Sequence, residues 1–175
     1  MLNPFYVVGF VDGEGCFCIS ITRHGRAKPE VRLFFEIELR EDDIDILRRI
    51  QKIFDCGNIL RLDYPRYNKW RPHVKYKVGN FKDISSKIIP FFKKYPLQAK
   101  KRDQFQKFCY VAKMIKRKEH LTKEGIERID RIRHKDSLDA LDAHVQWGVE
   151  GFLPQSPPVK AAKLGAPESG LCRRR

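Results

Sequence analysis

The sequence contains no stretch of apolar residues that approaches the roughly 18 needed to cross a membrane. Residues 1–5 form no charged leader, so we expect neither a secretory signal nor an Arg-rich transit peptide. The five cysteines are odd in number and include no C-x-x-C pair. Because a disulfide framework or a zinc module needs paired cysteines, we expect reduced thiols in an intracellular or organellar compartment.

Acidic residues are also scarce. The 175 residues include 22 Asp and Glu against 36 Lys and Arg, which gives a formal net charge of +14. Residues 145–175 account for +3 of this charge and the rest of the chain for +11. With 42% hydrophobic residues the chain can form a core, so it is not a disordered basic tail. A basic folded surface predicts a polyanionic partner such as a nucleic acid.

The hydrophobic pattern predicts an α+β domain at residues 1–144 and a Pro- and Gly-rich basic extension at residues 145–175. The element order is αββαββα with a helical appendix, in which each pair of strands forms an antiparallel hairpin. The predicted strands are residues 16–22, 31–39, 59–63 and 73–78. The predicted helices are residues 4–13, 42–56, 81–92, 103–118 and 123–144.

The first predicted helix is unusual because two acids, Asp12 and Glu14, follow its apolar residues at the C-terminal end. The helix dipole disfavours a carboxylate there by roughly 0.3–1 kcal/mol, so we expect a cationic group nearby. Gly9 and Gly13 lie four residues apart, on one helix face without side chains, and another backbone can approach that face closely. The pattern predicts a paired-helix interface that brings carboxylates to one edge.

The segment from Val7 to Gly15, with the sequence VVGFVDGEG, resembles the signature nonapeptide of the LAGLIDADG homing endonucleases. Both glycines of the helix face, both acids, the final glycine and the alternating strand that follows agree with that family. The resemblance extends over about residues 3–115. It implies a saddle-shaped antiparallel sheet with its helices on one face.

The resemblance also implies a metal site and a dimer interface. Glu14 would be the metal-binding carboxylate and Gly13 would contribute its carbonyl, with Mg²⁺ or Mn²⁺ as the cofactor and Ca²⁺ as a non-cleaving substitute. Asp12 would be a cap or interface residue of the catalytic site. The implied dimer interface consists of Val8, Gly9, Asp12 and Gly13.

Family members carry a functional lysine just before the last core helix. Lys101 has the better spacing from Leu97, and Lys100 is the alternative. Such a residue stabilises charge or orders the attacking water. Some relatives also have a Gln at the end of the second strand, where this chain has Leu39, so Glu38 or Arg40 would have to replace it.

The strand alternation predicts a nucleic-acid-binding surface on the sheet face away from the helices, with few acids to balance its cations. A two-stranded ribbon fits the major groove, where Arg reads guanine, Asn reads adenine and Glu reads cytosine. The predicted contact residues are Ser20, Thr22, Arg23, His24, Arg26, Lys28, Arg32, Phe34, Glu36, Glu38, Arg40, Arg61, Arg66, Asn68, Lys69, Trp70, Arg71, His73, Lys75 and Lys77.

These features together favour a metal-dependent, site-specific DNA endonuclease of the homing type. The chain has one nonapeptide, so two symmetric sites require a homodimer on a long pseudo-palindromic double-stranded site. The resemblance implies double-strand breaks with short 3′ overhangs. The alternatives are an intron maturase that binds RNA and a non-catalytic DNA-binding protein with the same fold. The expected location is a chloroplast, a mitochondrion or a prokaryotic cytoplasm.

Overall fold

The computed structural model describes residues 2–23, 25, 29–63 and 72–134. Its elements follow the predicted αββαββα order, with short 3₁₀ turns at Glu41–Asp43 and Glu119–Leu121 and a π-helical turn at Ile84–Ile88. The strands are β1 (Gly15–Thr22), β2 (Glu30–Arg40), β3 (Asn58–Leu62) and β4 (His73–Val78). The helices are α1 (Pro4–Glu14), α2 (Ile44–Phe54), α3 (Phe81–Asp83), α4 (Ile89–Lys94), α5 (Lys101–Lys116) and α6 (Lys123–His134).

Helix α1 begins where its sequence favours a start. The side chain of Asn3 accepts a hydrogen bond of 2.8 Å from the backbone N–H of Phe5, and Pro4 occupies the first turn, where its missing N–H costs nothing. Val7, Val8 and Val11 are buried along one side of the helix. Asn3 therefore positions the helix that carries both acids.

The four strands form one antiparallel sheet in the order β1-β2-β4-β3. In the register Phe17 lies opposite Phe35, Phe35 opposite Val78, and Ile59 opposite Tyr76, so the buried residues of β1, β2 and β4 share one face with the partly buried Ile59 of β3. Lys77 lies opposite both Glu36 and Asn58 on the other face. This second face is called the outward face below, and the sequence alternation predicted it correctly for β1, β2 and β4.

Aromatic rings join the sheet to the helices. The Phe17 ring of β1 lies 5.0–5.4 Å from the rings of Phe35, Phe92, Phe105 and Phe108, which belong to β2, α4 and α5. Edge-to-face and tilted contacts of this kind add to the free energy of burial. All the helices that contribute rings thus cover one face of the sheet, as the α+β prediction required.

Two helices differ in detail from their predicted form. Helix α2 ends at Phe54, because Asp55 adopts a left-handed conformation with φ of 48°, and the ammonium group of Lys87 donates to the Asp55 carbonyl. The third predicted helix is continuous in position, but it widens into the π-helical turn just before Pro90. Since proline has no N–H to donate and crowds the preceding turn, a local change of hydrogen-bonding pattern is the expected response.

Within the described ranges no helix is long and apolar enough to cross a membrane. The last described helix, α6, ends at His134, so the rest of the predicted 123–144 helix and the predicted extension at 145–175 lie outside the described residues.

Replacing Phe17 by Ala removes the ring that touches both the sheet and two helices. We expect the free energy of unfolding to fall by about 3–5 kcal/mol, the range for a large aromatic residue truncated in a packed core. Urea titration followed by circular dichroism measures it. The control is Leu121→Ala, at a side chain that is 59% exposed, for which a change within about 0.5 kcal/mol is expected. Equal losses for the two variants would contradict the central place of Phe17.

Candidate active site and nucleic-acid interface

The end of α1 brings Glu14 to the surface next to the first strand. Glu14 is the last residue of the helix and is exposed, as is Gly13. The carbonyl of Gly13 belongs to the last turn, where carbonyls have no partner further along the helix. A side chain at Gly15 would meet the Val11 side chain at 2.5 Å and its carbonyl at 2.8 Å, so a glycine is required for the sharp change from helix to strand. Glu14 thus lies directly at the start of β1.

Asp12 connects the end of α1 to the segment before α5. Its carboxylate accepts hydrogen bonds from the backbone N–H groups of Gln98, at 2.8 Å, and Ala99, at 3.3 Å. The sequence suggested a cap or interface role for Asp12, and in this structure the carboxylate caps the turn that leads into α5. The helix dipole disfavours an acid at the C-terminus of a helix, and the sequence therefore predicted a cationic group nearby. Helix α1 has no basic residue in its last turn, and the Asp12 carboxylate is stabilised by backbone N–H groups instead.

Lys101 is the first residue of α5 and is half-buried, whereas Lys100 is exposed in the turn before it. The positive charge of Lys101 is among the influences that lower the pKa of Cys16, which follows Glu14 by two residues. The charge of Lys101 thus acts on a residue near the start of β1. The choice between the two lysines stays a prediction, in which Lys101 has the better spacing from Leu97.

Cys16 and Cys18 project from the outward face of β1, with their sulfur atoms 3.0 Å apart. The hydrogen bond from Cys18 is the main reason why the pKa of Cys16 is lowered to about 7, with burial acting against it and Lys101 acting with it. The same hydrogen bond, together with burial, raises the pKa of Cys18. All four described cysteines are free thiols, as predicted, and Cys172 lies outside the described residues.

The donors at the end of α1 suit a hard divalent cation. Mg²⁺ is typically held by one or two carboxylates and by phosphate oxygens of the substrate, and Glu14 and the Gly13 carbonyl are oxygen donors of that kind. Among the described residues no cluster of three or more His, Cys, Asp or Glu side chains is assembled to hold a metal. Glu14 and the Gly13 carbonyl are therefore the oxygen donors that the end of α1 offers.

One face of α1 is open. Phe5 is 69% exposed and Tyr6 is 50% exposed, and a side chain added at Gly9 or Gly13 would meet no atom within 4 Å. Val8, which the sequence assigned to the interface, is only 4% exposed and belongs to the core of the chain itself. The free face of α1 thus consists of the two glycines and the two aromatic residues, which the sequence pattern did not single out.

The outward face carries most of the predicted contact residues that the structure describes. On β1 and β2 these are Ser20, Thr22, Arg32, Phe34, Glu36, Glu38 and Arg40, and on β4 they are His73, Lys75 and Lys77. Arg23 follows the end of β1. His24, Arg26, Lys28, Arg66, Asn68, Lys69, Trp70 and Arg71 lie outside the described residues.

The expectation that this face has few balancing acids is wrong for its described part. Every described basic residue of the predicted surface has a carboxylate within 4 Å. Most of these acids come from another element, whereas Glu30 lies on the same strand as Arg32. The pairs, with their N–O distances, are Arg23–Asp130 (3.9 Å), Arg32–Glu30 (2.8 Å), Arg40–Asp42 (2.5 Å), Arg61–Glu41 (3.1 Å), His73–Glu38 (3.3 Å), Lys75–Glu38 (3.1 Å) and Lys77–Glu36 (2.8 Å). Glu38 and Arg40, the two candidates to replace the family's Gln, are both engaged in such pairs.

Arg61 does not lie on the outward face. In the register it is opposite Val74, which is buried under the helices, and its guanidinium pairs with Glu41. Asn58 and Leu60 lie opposite Lys77 and Lys75 and occupy the outward face instead. Sequence reasoning missed them because apolar residues at positions 59, 60 and 62 hide the alternation of this strand.

Comparison with known proteins agrees with this geometry. The sequence model of the LAGLIDADG endonuclease family matches residues 7–112. The chain belongs to the LAGLIDADG endonuclease family. It is 31% identical over 170 residues to the "Probable intron-encoded endonuclease 2" of Neurospora crassa, which covers 93% of this chain and 34% of that protein. An uncharacterized 50.9 kDa protein in ND4 intron 1 of Podospora anserina is 35% identical over 70% of this chain and 26% of its own length. The chain thus spans about a third of the curated relatives it matches.

Solved structures of homing endonucleases share the fold of this LAGLIDADG chain. I-TnaI has a TM-score of 0.67 and 34% identity, with 75% of this chain and 86% of that chain covered. I-LtrWI bound to its target DNA has a TM-score of 0.68 and 32% identity, with 75% of this chain but 43% of that chain covered. The described fold therefore corresponds to most of I-TnaI and to less than half of I-LtrWI.

Substituting Asp12 by Ala should loosen the turn before α5. The N–H groups of Gln98 and Ala99 would lose their acceptor, and we expect the free energy of unfolding to fall by about 1 kcal/mol. Hydrogen exchange read by NMR would become faster at these two amides. Asp12→Asn keeps an acceptor oxygen and should have a smaller effect.

The matched control is Asp45→Ala, which removes an exposed acid that pairs with Arg48 on α2. Its exchange rates at Gln98 and Ala99 should equal those of the unmodified chain. Unchanged exchange at both amides in Asp12→Ala would show that the carboxylate does not hold this turn.

Proposed function

We propose that this protein is a site-specific DNA endonuclease of the homing type, which hydrolyses phosphodiesters at a long pseudo-palindromic double-stranded site to leave short 3′ overhangs. The observation that carries the proposal is the position of Glu14. It is an exposed carboxylate at the end of a helix with an open glycine face, and it directly precedes the first strand of a sheet whose outward face is polar. The names of the intron-encoded relatives and of the DNA-bound neighbour support the same activity.

The proposed metal ligands come from two neighbouring residues. Glu14 and the carbonyl of Gly13 hold a divalent cation, Mg²⁺ or Mn²⁺, and a bound ion of this kind supplies Lewis acidity for phosphodiester hydrolysis. Ca²⁺ would occupy the site without supporting cleavage. The related structure of I-SmaMI bound to uncleaved DNA in the presence of calcium ions supports a divalent site in the family.

Lys101 orders water or stabilises negative charge at the cleaved bond. Its position at the start of α5 depends on the turn that Asp12 caps, so Asp12 acts as a positioning residue for Lys101. Lys100 lies one residue earlier in the same turn and contributes positive charge near the phosphates.

The protein acts as a homodimer in this proposal. The open face of α1 pairs with the same face of a second copy, and each copy supplies one Glu14 to the dyad. The match to most of I-TnaI supports a unit of this size. In a longer chain of the kind that the curated relatives have, a second signature helix would occupy the same face.

We place the protein in the mitochondrion, since its matching relatives are fungal intron-encoded proteins and one is named for an intron of ND4. An intron-encoded origin is also compatible with the maturase alternative, because the intron RNA is present where the protein is made. The maturase and the non-catalytic DNA-binding protein have no use for Glu14, which provides the test.

Replacing Glu14 by Gln should abolish cleavage while DNA binding persists. Loss of a carboxylate ligand removes several kcal/mol of transition-state stabilisation, so we expect the cleavage rate to fall on the order of a hundredfold or more. The assay is cleavage of sites selected from a random duplex library in the presence of Mg²⁺. Glu127→Gln, an exposed acid on α6, is the charge-matched control and should cleave at the normal rate.

Two results would contradict the proposed nuclease function. Failure of the unmodified protein to cleave any enriched duplex, combined with tight binding to intron RNA, would indicate the maturase. Selection of a duplex that is bound but not cleaved would indicate a non-catalytic DNA-binding protein. Equal cleavage by Glu14→Gln and the unmodified protein would remove Glu14 from the active site.

Substituting Gly9 by Leu tests the proposed dimer. No atom lies within 4 Å of the added Cβ in a single chain, and Leu favours the helix over Gly by up to about 1 kcal/mol, so the fold should be retained. The added side chain would instead block a second helix. We expect a monomer by analytical ultracentrifugation and loss of double-strand cleavage. Gln106→Leu, on the exposed side of α5, should remain dimeric, and a dimer in both variants would contradict this interface.

A further inference from the structure

The middle of the outward face holds a carboxylate between two lysines. Glu36 on β2 lies opposite Lys77 on β4, and its Oε1 is 2.8 Å from the Lys77 ammonium nitrogen. Its Oε2 is 3.6 Å from the ammonium nitrogen of Lys75. The Glu36 side chain is only 16% exposed, so it is the most sequestered charge of this face's ion pairs.

The arrangement continues along the same strands. Glu38 lies opposite Lys75, at 3.1 Å, and also contacts the Nδ1 of His73 at 3.3 Å. Glu36, Glu38, His73, Lys75 and Lys77 are called the acid–lysine ladder. It runs across the two central strands of the sheet, where a two-stranded ribbon would enter a major groove.

Lys77 is held from a second side. Its ammonium nitrogen lies 3.8 Å from the centre of the Phe34 ring, a distance typical of a cation–π contact. The ring in turn packs against Gly79, where an added Cβ would come within 3.0 Å of it. Lys77 and Glu36 are therefore held together by contacts from both strands in the protein without a ligand.

This pairing has a consequence for binding. The charges of Lys75 and Lys77 are already compensated, so a phosphate backbone gains little from them, and the two carboxylates repel it. A duplex that covers the ladder removes water from the carboxylate oxygens, so it is favoured where it offers hydrogen-bond donors to the lone pairs that the lysines leave unused. In the major groove such donors are the N4 amino group of cytosine and the N6 amino group of adenine.

We propose that Glu36 and Glu38 are specificity-determining residues, which select cytosine or adenine at defined positions of the target and disfavour duplexes that present acceptors there. The inference rests on the proposed DNA-cleaving function and assigns part of its site selection to the ladder. Lys75 and Lys77 hold the carboxylates in place and donate to guanine or thymine on neighbouring base pairs. The outward face thus recognises sequence through its acids as well as its cations.

The test compares Glu36→Gln and Glu38→Gln with the unmodified protein on a library in which every base pair of the selected site is varied. For each variant we expect the preference for C or A to fall about tenfold at one or two positions per half-site, the size expected for a lost base contact. Affinity for unrelated duplex DNA should rise several-fold, because Lys75 and Lys77 are then available to phosphates. Glu41→Gln removes the same charge from an ion pair with Arg61 off the outward face and should leave the preferences unchanged.

Circular dichroism and urea titration establish that each variant is folded, and Glu36→Asp serves as a second variant that keeps the charge but withdraws it by one methylene. A folded Glu36→Gln with the base preferences of the unmodified protein would overturn the inference and leave the ladder a purely structural set of cross-strand pairs. If the unmodified protein selects no duplex sequence at all, the proposed function itself fails. The first failure is observed with the Glu36→Gln variant and the second with the unmodified protein, so the two can be distinguished.

Discussion

The contact between the Asp12 carboxylate and the backbone of Gln98 and Ala99 underlies the arrangement of the candidate site, because it joins parts of the chain 86 residues apart. Without it, Glu14 at the end of α1 and Lys101 at the start of α5 would be positioned by separate elements. The contact also stabilises the Asp12 carboxylate itself, since the helix dipole disfavours an acid at a helix C-terminus unless hydrogen-bond donors face it. A single carboxylate therefore relieves its own electrostatic cost and connects the helix that ends at Glu14 with the turn that leads to Lys101.

The sheet separates two kinds of interaction. Its inner face packs aromatic rings of β1 and β2 against α4 and α5, and these contacts supply rigidity. Its outward face is a set of ion pairs in partial contact with water. Because partly exposed pairs contribute little to stability, we expect substitutions on the outward face to cost less folding free energy than substitutions on the inner face. The packed inner face holds the strands that carry the ion pairs of the outward face.

The net charge of +14 has a different meaning once the fold is known. Counted along the chain, the basic residues of the strands suggest a continuous positive surface. In the folded chain, acids that are distant in sequence or on the neighbouring strand meet them, as Asp130 meets Arg23 and Glu36 meets Lys77. The net charge of this face is therefore a poor guide to its affinity for a polyanion. The position of each ion pair determines which charges a ligand can reach.

The order of elements, the antiparallel hairpins, the cap at Asn3 and the glycine face of α1 all follow from local patterns, because periodicity and capping act over a few residues. The nonapeptide also indicated Glu14 and the family. The contact of Asp12 with Gln98, the burial of Val8, the inward register of Arg61 and the pairing of Lys77 with Glu36 were decided by tertiary structure. Each depends on which residues from distant segments meet, and a one-residue shift of strand register reverses every side chain, so no local pattern contains that information.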